Sequence, residues 1–472
     1  MNFTSLSFLV FLAIFALVWS WARTGQQARW WVLTAFSFLF YGYWDWRFVF
    51  LLIGTGLIDF WAALALARPG ARRKLLITLS IGANLGVLAF FKYVGFFAQQ
   101  SHGLAGWPSA GAVDWARATI ILPVGISFYT FQSMSYTIDV YRGQLQPTRS
   151  LPHFFAYLSL FPQLVAGPII RAADLLPQLE HAGDFTAANR WRGLERVALG
   201  FYKKLVIADN VAPFVNHVFA TVDPHAAGGA IWWLAALFFA LQIYCDFSGY
   251  SDIAIGLASW MGYSFPENFT RPYASLGFRE FWTRWHISLS TWFRDYVYIP
   301  LGGNAGSRLR QHLVLWVTLV ASGLWHGANW TFLAWGATHA ALLSLERLTV
   351  WPRRIQHLPA GRTLGLGLTF LLVLLTWVLF RAETLTQALN VLHQMIARPF
   401  TGLPAAVGQL HAGHLLALAA FLGLGLATVL NTRPIWGARF NRPAVRFAAV
   451  VFALLAAILL RGPGHDFIYF QF

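Results

Sequence analysis

At residues 322–330 the chain reads Ser-Gly-Leu-Trp-His-Gly-Ala-Asn-Trp, which sets His326 between two apolar runs. Residues 313–324 and 330–345 contain no Asp, Glu, Lys or Arg. One helix over residues 312–345 would be about 50 Å long, too long for a hydrocarbon layer of about 30 Å. We therefore expect a break at Gly327. It leaves His326 at a helix junction inside the protein, because irregular backbone at membrane depth survives only when buried or lining a wet cavity.

An ionisable residue at this depth is a hypothesis of function in itself. The alternative for His326 is a structural one, in which the imidazole hydrogen-bonds two helices together. Judged alone, the position does not separate the two interpretations, so the remainder of the chain has to decide between them.

The composition indicates a membrane protein that crosses the bilayer many times. Of the 472 residues, 57% are hydrophobic and only 11% are charged, against about 25% charged residues in soluble domains. The single cysteine, Cys245, excludes an intrachain disulfide and a cysteine-based metal site. The net charge of +16 comes from basic residues in short loops between apolar runs, which is the positive-inside pattern and argues against nucleic-acid binding.

Further apolar runs predict further spans, and basic loops predict their direction. The first run reads as a retained span and not as a cleaved signal peptide, because it lacks a basic start and a clear cleavage site. Basic loops at 68–74, 347–362 and 433–446 are expected in the cytoplasm, which leaves both termini outside. Residues 99–114 are expected to form an external loop. The predicted spans are residues 1–22, 30–44, 48–66, 75–97, 231–258, 364–379, 414–430 and 447–460.

Four segments do not read as regular spans. Pro123 and Gly125 predict a broken helix over 119–140, and two prolines suit a re-entrant segment over 154–170. Residues 385–396 form a short amphipathic piece. Residues 191–211 carry charges that place them partly at the cytoplasmic surface, where Lys203 and Lys204 would serve as positive-inside anchors.

The apolar run at 231–258 contains two carboxylates, Asp246 and Asp252. Carboxylates at membrane depth are costly unless they are paired or hydrated. Asp246 and Tyr250 are four residues apart and share one helix face. A structural polar network and a direct contact with substrate both remain open for these residues.

Residues 278–298 alternate aromatic and charged side chains at helical spacing, which predicts one amphipathic helix too charged to span. On that helix His286 would share the apolar face with Trp282, Leu289 and Phe293, and would point toward the protein core. A packed, hydrogen-bonded histidine is the alternative to a functional one.

Common catalytic motifs do not occur in the sequence. A Gly-x-Ser-x-Gly elbow, a phosphate-binding Gly-x-x-x-x-Gly-Lys-Ser/Thr loop, a His-Glu-x-x-His pair and a cysteine cluster are all missing, so we expect no metal site. Two histidines at membrane depth, His286 and His326, remain. A neutral imidazole, with a pKa of about 6.5, is a suitable general base for activating a hydroxyl.

Several motifs, taken in order, resemble the membrane-bound O-acyltransferase family in its bacterial polysaccharide O-acetyltransferase branch. They cover nearly the whole chain. They are Asp246-Phe-Ser-Gly-Tyr-Ser-Asp252, Pro266-Glu-Asn-Phe269, Arg284-Trp-His-Ile-Ser-Leu-Ser290, Arg294-Asp-Tyr-Val-Tyr-Ile-Pro-Leu-Gly-Gly303, Leu324-Trp-His-Gly327 and Phe467-Ile-Tyr-Phe-Gln-Phe472.

The resemblance implies an all-α bundle of about eleven to thirteen spans, with re-entrant and interfacial helices around a central funnel. It implies one membrane domain over residues 1–472, with N-terminal spans at 1–115, catalytic motifs at 116–350 and C-terminal spans at 351–472. The location it implies is the bacterial inner membrane.

For the site, the resemblance implies that His326 and His286 are the catalytic histidines. The other implied site residues are Trp325, Asn329, Arg284 and Trp285 around the acyl donor, and Asp246, Tyr250, Asp252 and Asn268 around the acceptor or supporting the site. No permanently bound cofactor is expected, and acetyl-CoA would be the donor. The expected partners are membrane lipid and a periplasmic SGNH-type acetyltransferase or a polymer-synthesis complex.

Two other functions stay open. A transporter or flippase would also contain broken helices and buried charges, but would move its substrate without consuming acetyl-CoA. A membrane glycosyltransferase would rely on carboxylates such as Asp246 and Asp252 as principal base. The sequence also leaves the acceptor polymer open, and does not decide between direct transfer and an acetyl-histidine relay.

Overall fold

A computed structural model describes residues 1, 3–431, 442–465 and 467–468. Their regular structure is helical, as the sequence predicts, and they contain no strand. Part of the predicted basic loop at 433–446 and most of the closing motif, residues 469–472, lie outside the described residues.

The helices follow each other with short connections. In chain order they are α1 Leu6–Ala22, α2 Gln26–Asp45, α3 Arg47–Leu66, α4 Arg73–Ala105, α5 Ala110–Thr119, α6 Ile126–Tyr141, α7 Leu151–Leu158, α8 Phe161–Leu164, α9 Ala172–Glu180, α10 Ala187–Phe201, a π-helical segment Tyr202–Ala208, α11 Asp209–Thr221, α12 Gly229–Met261, a 3₁₀ turn Pro272–Ala274, α13 Phe278–Arg284, α14 Ile287–Phe293, a π-helical segment Arg294–Tyr298, α15 Arg308–His326, α16 Trp330–Thr349, α17 Trp351–Gln356, α18 Gly361–Arg381, α19 Leu385–Ala397, α20 Leu403–Gly408, α21 Ala412–Asn431 and α22 Pro443–Leu459.

Four of the described helices are long and apolar enough to cross a membrane: α3, α4, α12 and α18. The whole of α1, the whole of α22 and most of α21 form shorter apolar helices. The predicted break near Pro123 is confirmed, because α6 begins only at Ile126, after Gly125 at a φ of +76°. The predicted external loop at 99–114 is wrong in part, since α4 continues to Ala105 and α5 begins at Ala110.

The chain divides into two compact units. The first comprises residues 1–193 and 254–266, and the second comprises residues 194–253 and 267–472. In the first unit, the fully buried carboxylate of Asp59 on α3 accepts hydrogen bonds from Ser80 and Asn84 on α4 and from Ser133 on α6. These hydrogen bonds connect three helices, and the motifs in the sequence do not predict them.

In the second unit, α15 and α16 form a closely packed helical hairpin. A Cβ atom on Gly323 would lie 2.3 Å from the Phe332 carbonyl oxygen, and one on Gly336 would lie 2.4 Å from the Leu319 carbonyl oxygen. Real Cβ atoms essentially never come so close, so both positions require glycine. Ser307 caps the start of α15 by accepting a hydrogen bond from the Arg310 N–H. The hairpin holds His326 at its turn.

The segment at 278–298 corrects a prediction. The sequence predicts one amphipathic helix, but the chain forms the two seven-residue helices α13 and α14, followed by a π-helical segment. The break lies at Trp285 and His286, and His286 has a φ of +42°. His286 therefore does not take its neighbours from a continuous helix face, contrary to the prediction.

Candidate active site

The junction after His326 is fixed by Asn329. Its Oδ1 accepts a hydrogen bond from the Thr331 N–H at 3.2 Å, which caps α16. Its Nδ2 donates to the Glu383 carbonyl oxygen at 2.8 Å, just beyond the end of α18. The break predicted at Gly327 is confirmed. Asn329 thus connects three helix ends at the point where His326 lies.

His326 is packed among aromatic rings. His326 is only 4% exposed. The centres of the rings of Trp325, Trp335 and Phe380 lie 5.0, 5.1 and 5.2 Å from that of the imidazole, each in an edge-on arrangement. An imidazole so placed is held in orientation by ring packing, because the rings leave it little rotamer freedom. Such a site suits a base that must meet its substrate in one geometry.

His286 is held by Asn268. The Asn268 Oδ1 lies 3.2 Å from the Nδ1 of His286, and it also accepts a hydrogen bond from the Ser288 hydroxyl at 2.9 Å. The Asn268 carbonyl oxygen accepts a hydrogen bond from the Ile287 N–H at 2.9 Å. Asn268 therefore stabilises the positive φ of His286 from both sides. A non-glycine residue in this region is strained, and such strain is commonest at functional sites.

Trp325 connects the two histidines. The ring of His286 lies 6.2 Å from that of Trp325, and Trp325 also packs edge-on against His326. On its other side, His286 packs edge-on against Phe247 of α12 at 4.6 Å. Residues 286 and 326, separated by 40 positions in the sequence, thus belong to one aromatic cluster in the second unit.

Trp285 belongs to the aromatic cluster that contains both histidines, whereas Arg284 contacts residues of the chain next to α13. The Trp285 ring stacks on Phe281 at 5.7 Å and tilts against Trp377 at 4.9 Å. Arg284 forms an ion pair with Glu280 and donates a hydrogen bond to the Ala274 carbonyl oxygen. These contacts fix the local chain around α13 and give no support for the expected contact between Arg284 and a donor.

The carboxylates of α12 are paired with cations. Asp252 lies 2.7 Å from the Nζ of Lys203 and 2.6 Å from the Nε of Arg196. Asp246 lies 2.8 Å from the Nζ of Lys204, which is also 2.9 Å from Asp209. These distances support the structural network, one of the two readings that the sequence left open.

The same pairs correct the interpretation of the two lysines. Lys203 and Lys204 are 8% and 6% exposed, so they are buried ion-pair partners and not anchors at the cytoplasmic surface. The π-helical segment Tyr202–Ala208 is the physical reason. It adds a residue to the turn and changes which side chains face α12, which a helical periodicity of 3.6 does not anticipate.

The end of the described chain is attached to the same network. Asp246 accepts a hydrogen bond from the Ile468 N–H at 2.7 Å, and Lys204 donates one to the His465 carbonyl oxygen at 3.1 Å. Phe467 packs against Tyr250 at 4.9 Å and against Phe247 at 5.8 Å. Tyr250 thus contributes to holding this segment.

His339 is a residue that the sequence reading set aside. It lies on α16, is 1% exposed, and packs against Trp335 at 4.7 Å and Trp282 at 5.2 Å. Spacing could have found it, because His339 lies four residues after Trp335 and so shares its helix face. Among the residues that the structure describes, no group of three or more His, Cys, Asp or Glu side chains has the arrangement of a metal site.

Comparison with known proteins identifies the family. The model of the "MBOAT, membrane-bound O-acyltransferase family" matches residues 144–383, which contain both histidines. A "Probable alginate O-acetylase AlgI" from Azotobacter vinelandii is 44% identical over 361 residues, covering 76% of this chain and 70% of the relative. The chain belongs to the membrane-bound O-acyltransferase family. It is therefore an acyltransferase and a membrane protein, as the motifs indicated.

Two further relatives show the range of the similarity. A "Peptidoglycan O-acetyltransferase" from Helicobacter pylori is 34% identical, covering 82% of this chain and 77% of the relative. A "Teichoic acid D-alanyltransferase" from Bacillus subtilis is 26% identical, covering 55% of this chain and 69% of the relative. The names of these relatives thus refer to acyl transfer involving alginate, peptidoglycan and teichoic acid.

Proposed function

We propose that this acyltransferase takes acetyl groups from acetyl-CoA on the cytoplasmic side of the bacterial inner membrane. It passes them to a hydroxyl acceptor on the periplasmic side. The acceptor is an exported polysaccharide, or an SGNH-type partner protein that then acetylates the polymer. The relatives named as O-acetylases support acetyl as the group, and the basic residues beside α15 and α16 support a cytoplasmic entry by the positive-inside rule.

The observation that carries the proposal is the fixed position of His326 at a helix junction within a cluster of aromatic rings. In the proposed step, Nε2 of His326 removes the proton from the acceptor hydroxyl as its oxygen attacks the thioester carbonyl. The new C–O bond forms, the C–S bond breaks, and the proton moves to the CoA thiolate as it leaves. Such base catalysis contributes about 10²–10⁴-fold to the rate.

His286 acts in this proposal as a positioning residue. Asn268 fixes its ring, and Trp325 lies between it and His326. His286 thereby holds Trp325, and through it the orientation of His326. In a relay mechanism an acetyl group would instead rest on one imidazole before it moves to the acceptor.

A liposome assay tests the proposed function. Purified protein is reconstituted in vesicles, [¹⁴C]acetyl-CoA is supplied on one face, and alginate oligosaccharide, with and without a periplasmic SGNH-type partner, is supplied on the other. We expect label in the oligosaccharide and release of free CoA. Movement of labelled donor without CoA release would instead identify a transporter, and would overturn the proposal.

The variant His326→Ala provides the decisive comparison within that assay. Acetyl transfer should be abolished while protein level and folding are retained. His414→Ala is the matched control, because His414 is also buried and also packs against aromatic rings, those of Phe214 and Phe238. Wild-type acetylation by His326→Ala would exclude the role of His326 as base.

A further inference from the structure

A cavity of about 1050 Å³ lies in the first unit, between the end of α3 and the start of α7. Trp61, Leu64 and Arg68 line it from α3 and the turn that follows this helix. Arg149 and Leu151 line it from the other side, where α7 begins. Neither the family match nor the names of the relatives assign a ligand to this cavity.

The cavity forms because α3 and α7 touch at one end and separate toward the other. A Cβ atom on Gly56 of α3 would lie 2.7 Å from Cε1 of Phe155 and 3.0 Å from Cδ2 of Leu158, so the two helices are in close contact there. One turn further along α3, the rings of Phe60 and Phe154 still pack with their centres 5.5 Å apart. The following turns of α3 line the cavity, which is therefore a wedge between two diverging helices.

The end of α3 lies at the depth of the phospholipid head groups. Helix α3 is apolar enough to cross a membrane, and its 20 residues rise about 30 Å, the thickness of the hydrocarbon layer. Arg68 follows two residues after the last helical residue, Leu66. Trp61, near this end of the helix, is 57% exposed, and exposed tryptophans are enriched where a span meets the head groups.

The cavity is positively charged and has no carboxylate in its lining. Arg68 and Arg149 are its charged lining residues, and both are exposed. The two chain segments that form its walls are free of Asp and Glu over residues 60–113 and 140–173. Within the described part of the chain, neither guanidinium forms an ion pair or a hydrogen bond. The two arginines therefore remain available for an anionic ligand, and arginine fits phosphate oxygens well.

The turn that carries Arg149 is held in place by hydrogen bonds on both sides of this residue. The Thr148 N–H donates to the Tyr136 hydroxyl at 3.2 Å, and the Ser150 N–H donates to the Thr148 hydroxyl at 3.2 Å. The Ser150 hydroxyl accepts from the His153 N–H at 3.4 Å. The backbone at Arg149 is thus ordered before a ligand arrives, which lowers the entropic cost of binding.

We infer that this cavity binds an anionic phospholipid, whose phosphate is held by Arg68 and Arg149 and whose acyl chain covers Trp61 and Leu64. Inorganic phosphate would fill little of the cavity and would leave its apolar wall uncovered. This inference concerns the first unit alone and does not depend on the proposed acetyl transfer.

The lining favours phosphatidylglycerol over phosphatidylethanolamine. The ammonium group of phosphatidylethanolamine would find no carboxylate in the lining. The hydroxyls of phosphatidylglycerol can instead exchange hydrogen bonds with Gln146 and Ser150, which also line the cavity. The two lipids otherwise offer the same phosphate and the same acyl chains, so a difference in affinity reports on the head group.

Lipid binding to the full-length protein in detergent, measured by native mass spectrometry, tests the assignment. The probes are phosphatidylglycerol and phosphatidylethanolamine with identical acyl chains, and inorganic phosphate is added as a competitor. We expect phosphatidylglycerol to bind at least tenfold more tightly than phosphatidylethanolamine, and phosphate not to displace it. Equal affinity for the two lipids, or displacement by phosphate, would overturn the assignment.

A pair of double variants that remove equal charge locates the binding site. Arg68→Gln/Arg149→Gln removes the two arginines of the cavity, whereas Arg72→Gln/Lys74→Gln removes two exposed cations of the same basic loop that do not line it. The first should weaken binding of phosphatidylglycerol at least tenfold, and the second should change it less than twofold. Equal loss in both would mean that general surface charge, and not the cavity, attracts the lipid.

The apolar wall is tested with a pair of exposed tryptophans. Trp61→Ala removes the ring that lines the cavity, and Trp46→Ala removes a ring that is 66% exposed at the other end of α3. We expect phosphatidylglycerol binding to weaken at least threefold in Trp61→Ala and to stay at the wild-type value in Trp46→Ala. Unchanged affinity in Trp61→Ala would contradict an acyl chain on this wall.

An acidic segment of a partner protein is the other occupant that the charge of the cavity would suit. A hexapeptide of glutamate serves as the probe, added to protein already loaded with phosphatidylglycerol. It should not displace the lipid, because it has no acyl chain to cover the apolar wall. Displacement by the peptide would identify a protein-docking site and would overturn the lipid assignment.

Discussion

The second unit buries two kinds of ionisable side chain and holds them differently. Asp246 and Asp252 on α12 each lie within 2.8 Å of a lysine nitrogen, so their charges are balanced by cations. His326 and His286 lie instead among the rings of Trp325, Trp335 and Phe247. The charged network forms ionic connections between helices, whereas the ring cluster orients imidazoles. In the sequence, the carboxylates and the histidines alike are polar residues within apolar runs. They differ in the side chains that contact them in the folded protein.

This comparison predicts that a substitution in the ring cluster lowers the transfer rate, whereas a substitution in the charged network lowers stability. The largest effect is expected at His326. His326→Gln retains a similar volume and a polar group but cannot act as a base. We expect acetyl transfer to fall about 10²–10⁴-fold, with the unfolding midpoint in detergent unchanged. Initial rates with labelled acetyl-CoA and a thermal unfolding curve measure both. A rate within experimental error of wild type would place His326 with the structural residues.

Asp252→Ala should show the reverse pattern. It leaves Lys203 and Arg196 without their shared carboxylate, and breaking a buried ion pair costs about 3–5 kcal/mol. Chemical unfolding of the detergent-solubilised protein should reveal this loss. The transfer rate per folded molecule, measured well below the unfolding transition, should remain that of wild type. A selective loss of rate with unchanged stability would instead give Asp252 a role at the site.

Gly327→Ala should disturb the junction itself with a smaller effect. A Cβ atom at this position would lie 2.1 Å from Cε2 of Phe332, whose ring packs against Phe380 beside His326. Overpacking of this kind costs about 1–3 kcal/mol, and the displaced rings should lower the transfer rate as well. Gly367→Ala on α18 is the control, because a Cβ there meets nothing within 4 Å. Equal stability and equal transfer rates of the two variants would show that the junction accommodates a displaced Phe332 ring.

Arg446→Gln should have the smallest effect of the four. Arg446 and Glu195 form an ion pair whose side chains are 35% and 25% exposed, so water already screens it. Exposed pairs contribute about 0–1 kcal/mol, and both stability and transfer should stay close to wild type. A loss of stability comparable with that of Asp252→Ala would show that the stability contributed by an ion pair in this protein does not depend on its burial.

Much of the candidate site could be predicted from residue type and spacing. The break at Gly327 follows from an apolar run too long for one span, and the burial of His326 follows from that break. The association of Asn268 with the site was expected from the motifs, and the structure brings it to His286. His339 was missed because its four-residue spacing from Trp335 indicates a shared helix face but does not reveal the packing against Trp282 of α13.

The sequence by itself determined that this protein is an all-helical membrane acyltransferase with a histidine between two apolar helices. Those conclusions depend on composition, run length and short motifs, which are local properties of the chain. Only the tertiary structure decided that Lys203 and Lys204 face the carboxylates of α12, and that His286 breaks its helix to meet Asn268. The physical reason is that a π-helical turn and a left-handed residue each change the direction of side chains, and packing against distant segments, not local periodicity, stabilises them.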